Sequence, residues 1–121
     1  MIDRRARLKA LDLIAQIPAG AITNWELEDQ WPRADQDPAL ACILRWLWTL
    51  YDDDQAVRMI EVLRQRELAI LERCKQFLKS DEEFRLRTLS ADEARSEQQE
   101  WGTEWAPGCT LPDNDNWPFS S

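Results

Sequence analysis

Two groups of carboxylates stand close together in this chain. Glu26, Glu28 and Asp29 share one short segment, and Asp52, Asp53 and Asp54 are consecutive. Clustered carboxylates can hold Mg²⁺ or Ca²⁺ through oxygen ligands. Two of them can also divide the roles of acid and base when one sits in an apolar pocket. The Asp run lacks the alternating spacing and central glycine of a calcium loop. Both groups equally suit helix termini, where carboxylates satisfy open backbone N–H groups and the positive end of the helix dipole. The sequence therefore assigns no catalytic, cofactor-binding or metal-ligating residue, and no cofactor is expected.

Other chemistries are removed by what the chain lacks. It contains no histidine, which takes away Ser-His-Asp and Cys-His arrangements and most transition-metal sets. Gly20, Gly102 and Gly108 are too far apart to form a phosphate-cradling loop. Cys42, Cys74 and Cys109 include no pair at CxxC spacing, and no base is identifiable beside Cys109. They read as two buried helix thiols, Cys42 and Cys74, and one loop thiol, Cys109. Unpaired thiols imply a reducing compartment, and no apolar leader or membrane-length run is present, so a cytoplasmic location is expected.

The net charge is −8, and its distribution is uneven. Residues 1–80 carry 12 Lys/Arg against 13 Asp/Glu, whereas residues 81–121 carry 3 against 10. Residues 55–80 are net basic, with 6 basic and 3 acidic side chains. Such a surface repels phosphate backbones, so nucleic acid is not expected as a partner, and with no membrane-length apolar run a membrane is not expected either. A basic protein suits this surface. Seven tryptophans are present, a residue type concentrated in interface hot spots. Trp46 or Trp48 is expected in the core, while Trp25, Trp31, Trp101 and Trp105 lie beside acidic residues and read first as rings packed on their own domain and second as an acidic-aromatic surface. Glu100, Trp101, Glu104 and Trp105 form the first candidate contact set. Glu26, Glu28, Asp29, Asp52, Asp53 and Asp54 form the second.

The elements that must position these residues are helical. Leu8, Leu11, Ile14 and Ile17 mark an apolar stripe over residues 3–17, with Arg4, Arg5, Arg7 and Lys9 opposite, and Pro18 and Gly20 stop it. Thr23 and Glu26 have capping-box spacing for a short helix at 24–30, ended before Pro32. Asp37-Pro38 starts a helix over 38–51 whose wide stripe includes Leu40, Ile43, Leu44, Leu47, Trp48 and Tyr51, making it the most buried element. Residues 54–79 contain no Gly or Pro and read as one long helix or as two broken near 64–67. Ser80 to Glu83 and Ser90 to Glu93 repeat the capping spacing, the latter opening a weakly apolar helix at 91–101 closed by Gly102. The expected fold is all-α, a small single-domain bundle of about four to six helices. Residues 1–102 form the helical domain, and 103–121 an irregular acidic and aromatic tail packed on it or extending from it.

Several stretches carry a resemblance. Ile22-Thr23-Asn24-x-Glu26-x-Glu28-Asp29, Asp37-Pro38-Ala39, Trp48-x-Leu50-Tyr51-x-Asp53, Glu72-Arg73-Cys74-x-x-Phe77-Leu78-x-Ser80-Asp81 and the closing Trp117-Pro118-Phe119 resemble a family of small bacterial helical proteins of uncharacterised function. The resemblance implies a helical fold and a bacterial origin and carries no activity. Size, acidity, aromatic content and the missing catalytic groups together point to a macromolecular binding protein, most concretely an immunity-type inhibitor of a basic toxin or nuclease. The alternatives are a small carboxylate-based, metal-dependent enzyme and a regulatory or structural subunit of a larger assembly. Homo-oligomerisation stays open.

Overall fold

The computed structural model describes residues 1–33, 36–101 and 108–119, without the side chain of Trp101. Five α-helices follow in chain order among these residues: α1 (Arg4–Gln16), α2 (Asn24–Gln30), α3 (Pro38–Trp48), α4 (Gln65–Lys79) and α5 (Ala91–Trp101), with a 3₁₀ turn at Met59–Val62. No strand is present among them beyond an isolated antiparallel bridge between Thr23 and Arg58, so the fold is all-α. No described helix is long and apolar enough to cross a membrane.

α3 is the centre, as its stripe predicts. Ala39, Leu40, Cys42, Ile43, Trp46 and Leu47 are all buried along it. Of the two neighbouring indoles, Trp46 is buried and Trp48 is half-buried. The helix ends at Trp48 rather than at Tyr51, because Thr49 and Leu50 turn back onto Trp46 and Leu47 through i→i+3 bonds of 3.1 Å each. The Thr49 hydroxyl closes the end by donating to the Trp46 carbonyl at 2.6 Å.

α1 packs against α4 as the main helix-to-helix contact, but on a different face from the expected one. Ala10, Leu13, Ile14 and Ile17 are buried, while Leu8 is 60% exposed. Arg7, read as part of the polar face, is fully buried. It donates twice to Asp37, from Nε to Oδ2 at 2.7 Å and from Nη2 to Oδ1 at 3.0 Å. Its remaining protons reach the carbonyls of Phe77, Ser80 and Glu82. Asp37 thus does not cap α3 with its side chain; its carboxylate serves Arg7 and the Asp3 amide instead. At the far end of α1, Gly20 adopts φ +70°, the left-handed conformation that closes helices at little cost only for glycine.

The 54–79 stretch is two elements, and a specific competitor explains why. The Asn24 amide donates to the Val57 carbonyl at 2.9 Å and the Met59 amide to the Ile22 carbonyl at 3.0 Å. Backbone groups bonded across to α2 are not available to an i→i+4 ladder, so a helix forms only from Gln65, where Glu67 reaches back to the Arg64 amide at 3.1 Å. Ser80 to Glu83 opens no helix; the Ser80 hydroxyl bonds locally to the Phe77 carbonyl and the Glu82 amide. The Ser90 and Glu93 box is formed in both directions. These bonds, with Arg87, hold the Glu93 carboxyl below the usual range.

α5 has little apolar surface and is tied down by Glu97. This carboxylate accepts from Arg45 of α3 at 2.9 Å and from the Gly108 amide at 3.4 Å, with Arg87 at 3.8 Å. Trp31 is also buried, donating its indole N–H to the Leu40 carbonyl at 2.9 Å; its acidic neighbours in the sequence do not make it a surface residue. The cysteines depart furthest from expectation. Cys42 and Cys109 form a disulfide with a Cα separation of 5.3 Å, and only Cys74 is a free thiol. Burial pushes the Cys74 thiol well above the ordinary cysteine range. The case for a reducing compartment from three unpaired thiols loses its premise.

Candidate functional site

The second contact set divides between two chain segments that the fold brings together. α2 starts at a capping box in which the Thr23 hydroxyl accepts from the Glu26 amide at 3.2 Å and Glu26 accepts from the Thr23 amide at 3.0 Å. This fixes the register of α2. Asn24 and Glu28, four residues apart, then share the face turned toward residues 49–57. Asn24 is fully buried. Its amide group donates to the Gln55 carbonyl at 3.2 Å and its Oδ1 accepts from the Val57 amide at 2.8 Å.

With the loop held in this way, Tyr51 donates its hydroxyl proton to Glu28 Oε1 at 2.9 Å. Trp25 donates its indole N–H to Asp53 Oδ1 at 3.1 Å. Asp53 also lies close enough to Glu28 to act on its charge. The Glu28 carboxyl sits above the usual range, mainly because burial disfavours the charge; Tyr51 opposes this and the neighbouring Asp53 adds to it. Tyr51 is pushed up strongly, by burial first and then by Glu28.

Asp52 and Asp54, with Tyr51 and Gln55, line an open groove of roughly 390 Å³. Trp25 is 48% exposed although its N–H is bonded. Glu26 and Asp29 are exposed on the outer side of α2. The result is an indole held on edge beside carboxylates from two segments. A cationic side chain meets there both an aromatic face and charged acceptors. Among the described residues no three Cys, Asp or Glu are placed to hold a metal ion.

The first contact set falls largely outside the described residues. Glu100 is exposed near the end of α5. Trp101 ends that helix, its side chain outside the described residues, and Glu104 and Trp105 lie outside them altogether. Tyr51 and Asn24 are the residues that sequence reasoning missed. Tyr51 was absorbed into the apolar stripe of α3, and Asn24 could have been found from its i→i+4 spacing with Glu28. Comparison with protein-family models, with curated proteins and with solved structures finds no match for the chain.

Proposed function

We propose that this protein is a binding module for a basic protein partner, and that the partner docks on the face made by α2 and residues 51–54. The observation that carries this reading is the exposed Trp25 ring bonded to Asp53, with Asp52 and Asp54 flanking the adjacent groove. A rigid, half-exposed indole is a low-entropy anchor, and surrounding carboxylates speed the approach of a cation and reject acidic competitors. An immunity-type inhibitor of a basic toxin or nuclease is the most concrete form of the proposal. The test is affinity capture with the parent chain and with two variants, Trp25→Ala and Asp52→Lys/Asp54→Lys. Basic proteins retained by the parent and lost from both variants support it. Equal retention by all three sinks this face, and the Glu100, Trp101, Glu104 and Trp105 set is then examined with the same design.

One observation favours a second reading, carboxylate-based hydrolysis. Glu28 and Asp53 are carboxylates from two segments held beside each other by Tyr51 and Trp25. Burial raises Glu28 above the usual carboxyl range, and two carboxylates in unequal environments can divide the roles of acid and base. Hydrolytic turnover lost in Glu28→Gln, with binding of the basic partner unchanged, would favour this reading over the first.

A further inference from the structure

We propose that residues 108–119 are a strap released by reduction: a dithiol reductant that opens the Cys42–Cys109 bond lets this segment lift from the aromatic side chains of Trp46, Phe77 and Phe84 while α1 to α4 stay folded. The inference is independent of the α2 face.

The segment has no helix or strand of its own and is attached at two places. At its start the Arg87 amide donates to the Gly108 carbonyl at 2.8 Å, and Cys109 is bonded to Cys42 on α3. Gly108 has φ +87°, and a Cβ there would lie 2.3 Å from the Arg87 carbonyl oxygen, so this docking point admits only glycine. At the other end Trp117 is buried, its ring 5.7 Å from Trp46 and 6.2 Å from Phe84 between centroids, with Phe119 5.1 Å from Phe77. Arg73 adds one bond to the Trp117 carbonyl at 3.0 Å. Between the two anchors Leu111 and residues 113–116 are exposed, and the Asn114 side chain bonds within the segment, to Asp113, Asn116 and Trp117. A gap of roughly 240 Å³ separates Asp113 and Asp115 from Arg66 and Arg73 of α4.

Ala10, Leu13, Ile14, Leu40, Ile43 and Leu71, on α1, α3 and α4, are buried in the same core, and the ring contacts and the Arg73 bond of the strap fall on other residues. A segment with no helix or strand of its own, held by its ends, opens locally at lower free energy than a core helix, unless it is tethered. The disulfide is that tether, and Cys109 is its less covered end, 6% exposed against 0% for Cys42.

Reduction proceeds by ordinary exchange. A thiolate of the dithiol attacks Cys109 Sγ; the S–S electron pair leaves on Cys42 Sγ, which takes a proton. The second thiolate of the reductant attacks its own sulfur in the mixed disulfide and expels Cys109 Sγ, which is protonated in turn. Two electrons and two protons pass to the protein, and the reductant becomes a disulfide.

Cys74 supplies the internal control, being a buried residue of α4 and outside the bond. The full chain is incubated with and without dithiothreitol, pulsed with iodoacetamide and mapped by peptide mass, with amide exchange followed in parallel. The expected result is alkylation of reduced Cys109 at least about tenfold faster than Cys74, with exchange across 109–119 rising well beyond any rise in α1 and α4, which stay folded. The Cys42→Ala/Cys109→Ala variant should show the same exchange pattern without reductant. If Cys109 stays as protected as Cys74, the aromatic anchor holds the segment unaided and the proposal fails. If the two react at one rate while α1 loses protection, the bond is a staple for the whole domain, and the proposal fails equally.

Discussion

Arg7 and Asp37, from α1 and the start of α3, form a fully buried two-point ion pair at 2.7 and 3.0 Å. Five protein oxygens surround the guanidinium, and its carbon lies 5.2 Å from the centre of the Phe77 ring. One side chain therefore joins α1, α3, the end of α4 and the segment after it. Arg7→Met should cost about 3–5 kcal/mol in urea unfolding, because a buried carboxylate is left unpaired. Arg7→Met/Asp37→Leu should recover little, since the carbonyls of Phe77, Ser80 and Glu82 still lose their donor. Recovery to parental stability would show that those carbonyls find water.

Trp46→Ala should be far more costly than Trp48→Ala. Trp46 is 4% exposed and packs edge-on against Trp117, whereas Trp48 is half-buried. A loss of about 3–5 kcal/mol is expected for Trp46. Equal losses in thermal or chemical unfolding would contradict the assignment of the two rings.

The Cys42–Cys109 bond closes a sequence separation of 67 residues. On the chain-entropy account it disfavours the unfolded ensemble by about 4 kcal/mol. Cys42→Ala/Cys109→Ala should lower the unfolding midpoint accordingly, and reductant should then have no further effect on the variant.

Glu28 should make the protein less stable as pH rises. Its folded-state pKa is above the ordinary 4.5, so the folded chain holds this proton more tightly than the unfolded one does. Its contribution is present in full below the unfolded value and is lost as pH climbs through the folded value. Glu28→Gln keeps an oxygen for Tyr51 and cannot titrate. Parallel unfolding curves from pH 4.5 upward should show the parent falling relative to the variant. A constant difference would place Glu28 in water.

Binding to the basic partner should depend on salt and on Trp25 in separable ways. Asp52→Lys/Asp54→Lys should slow association and flatten its salt dependence, while Trp25→Ala should mainly speed dissociation. Surface plasmon resonance at two ionic strengths distinguishes them.

Periodicity and capping chemistry placed most of the helices, although the spacing from Ser80 to Glu83 opens none. The Thr23 and Ser90 boxes and the Pro38 start are local devices, made by residues three apart or less, and they stand where the sequence places them. The apolar stripe of α3 made it central for the same reason: burial along one helix is written in its own repeat. What lay beyond the sequence was every pairing over a long separation. Arg7 looks like one more exposed cation until Asp37, 30 residues away, is beside it. Tyr51 looks like stripe until its hydroxyl finds Glu28, and Cys42 looks like a core thiol until Cys109 arrives from the far end of the chain. Helical sequence over 54–58 is overruled by backbone bonds to α2. Local propensities contribute tenths of a kcal/mol per residue, whereas a buried charge or an unmet backbone group costs about 1–3 kcal/mol or more. Where the two compete, tertiary partners decide, and the sequence alone does not name them.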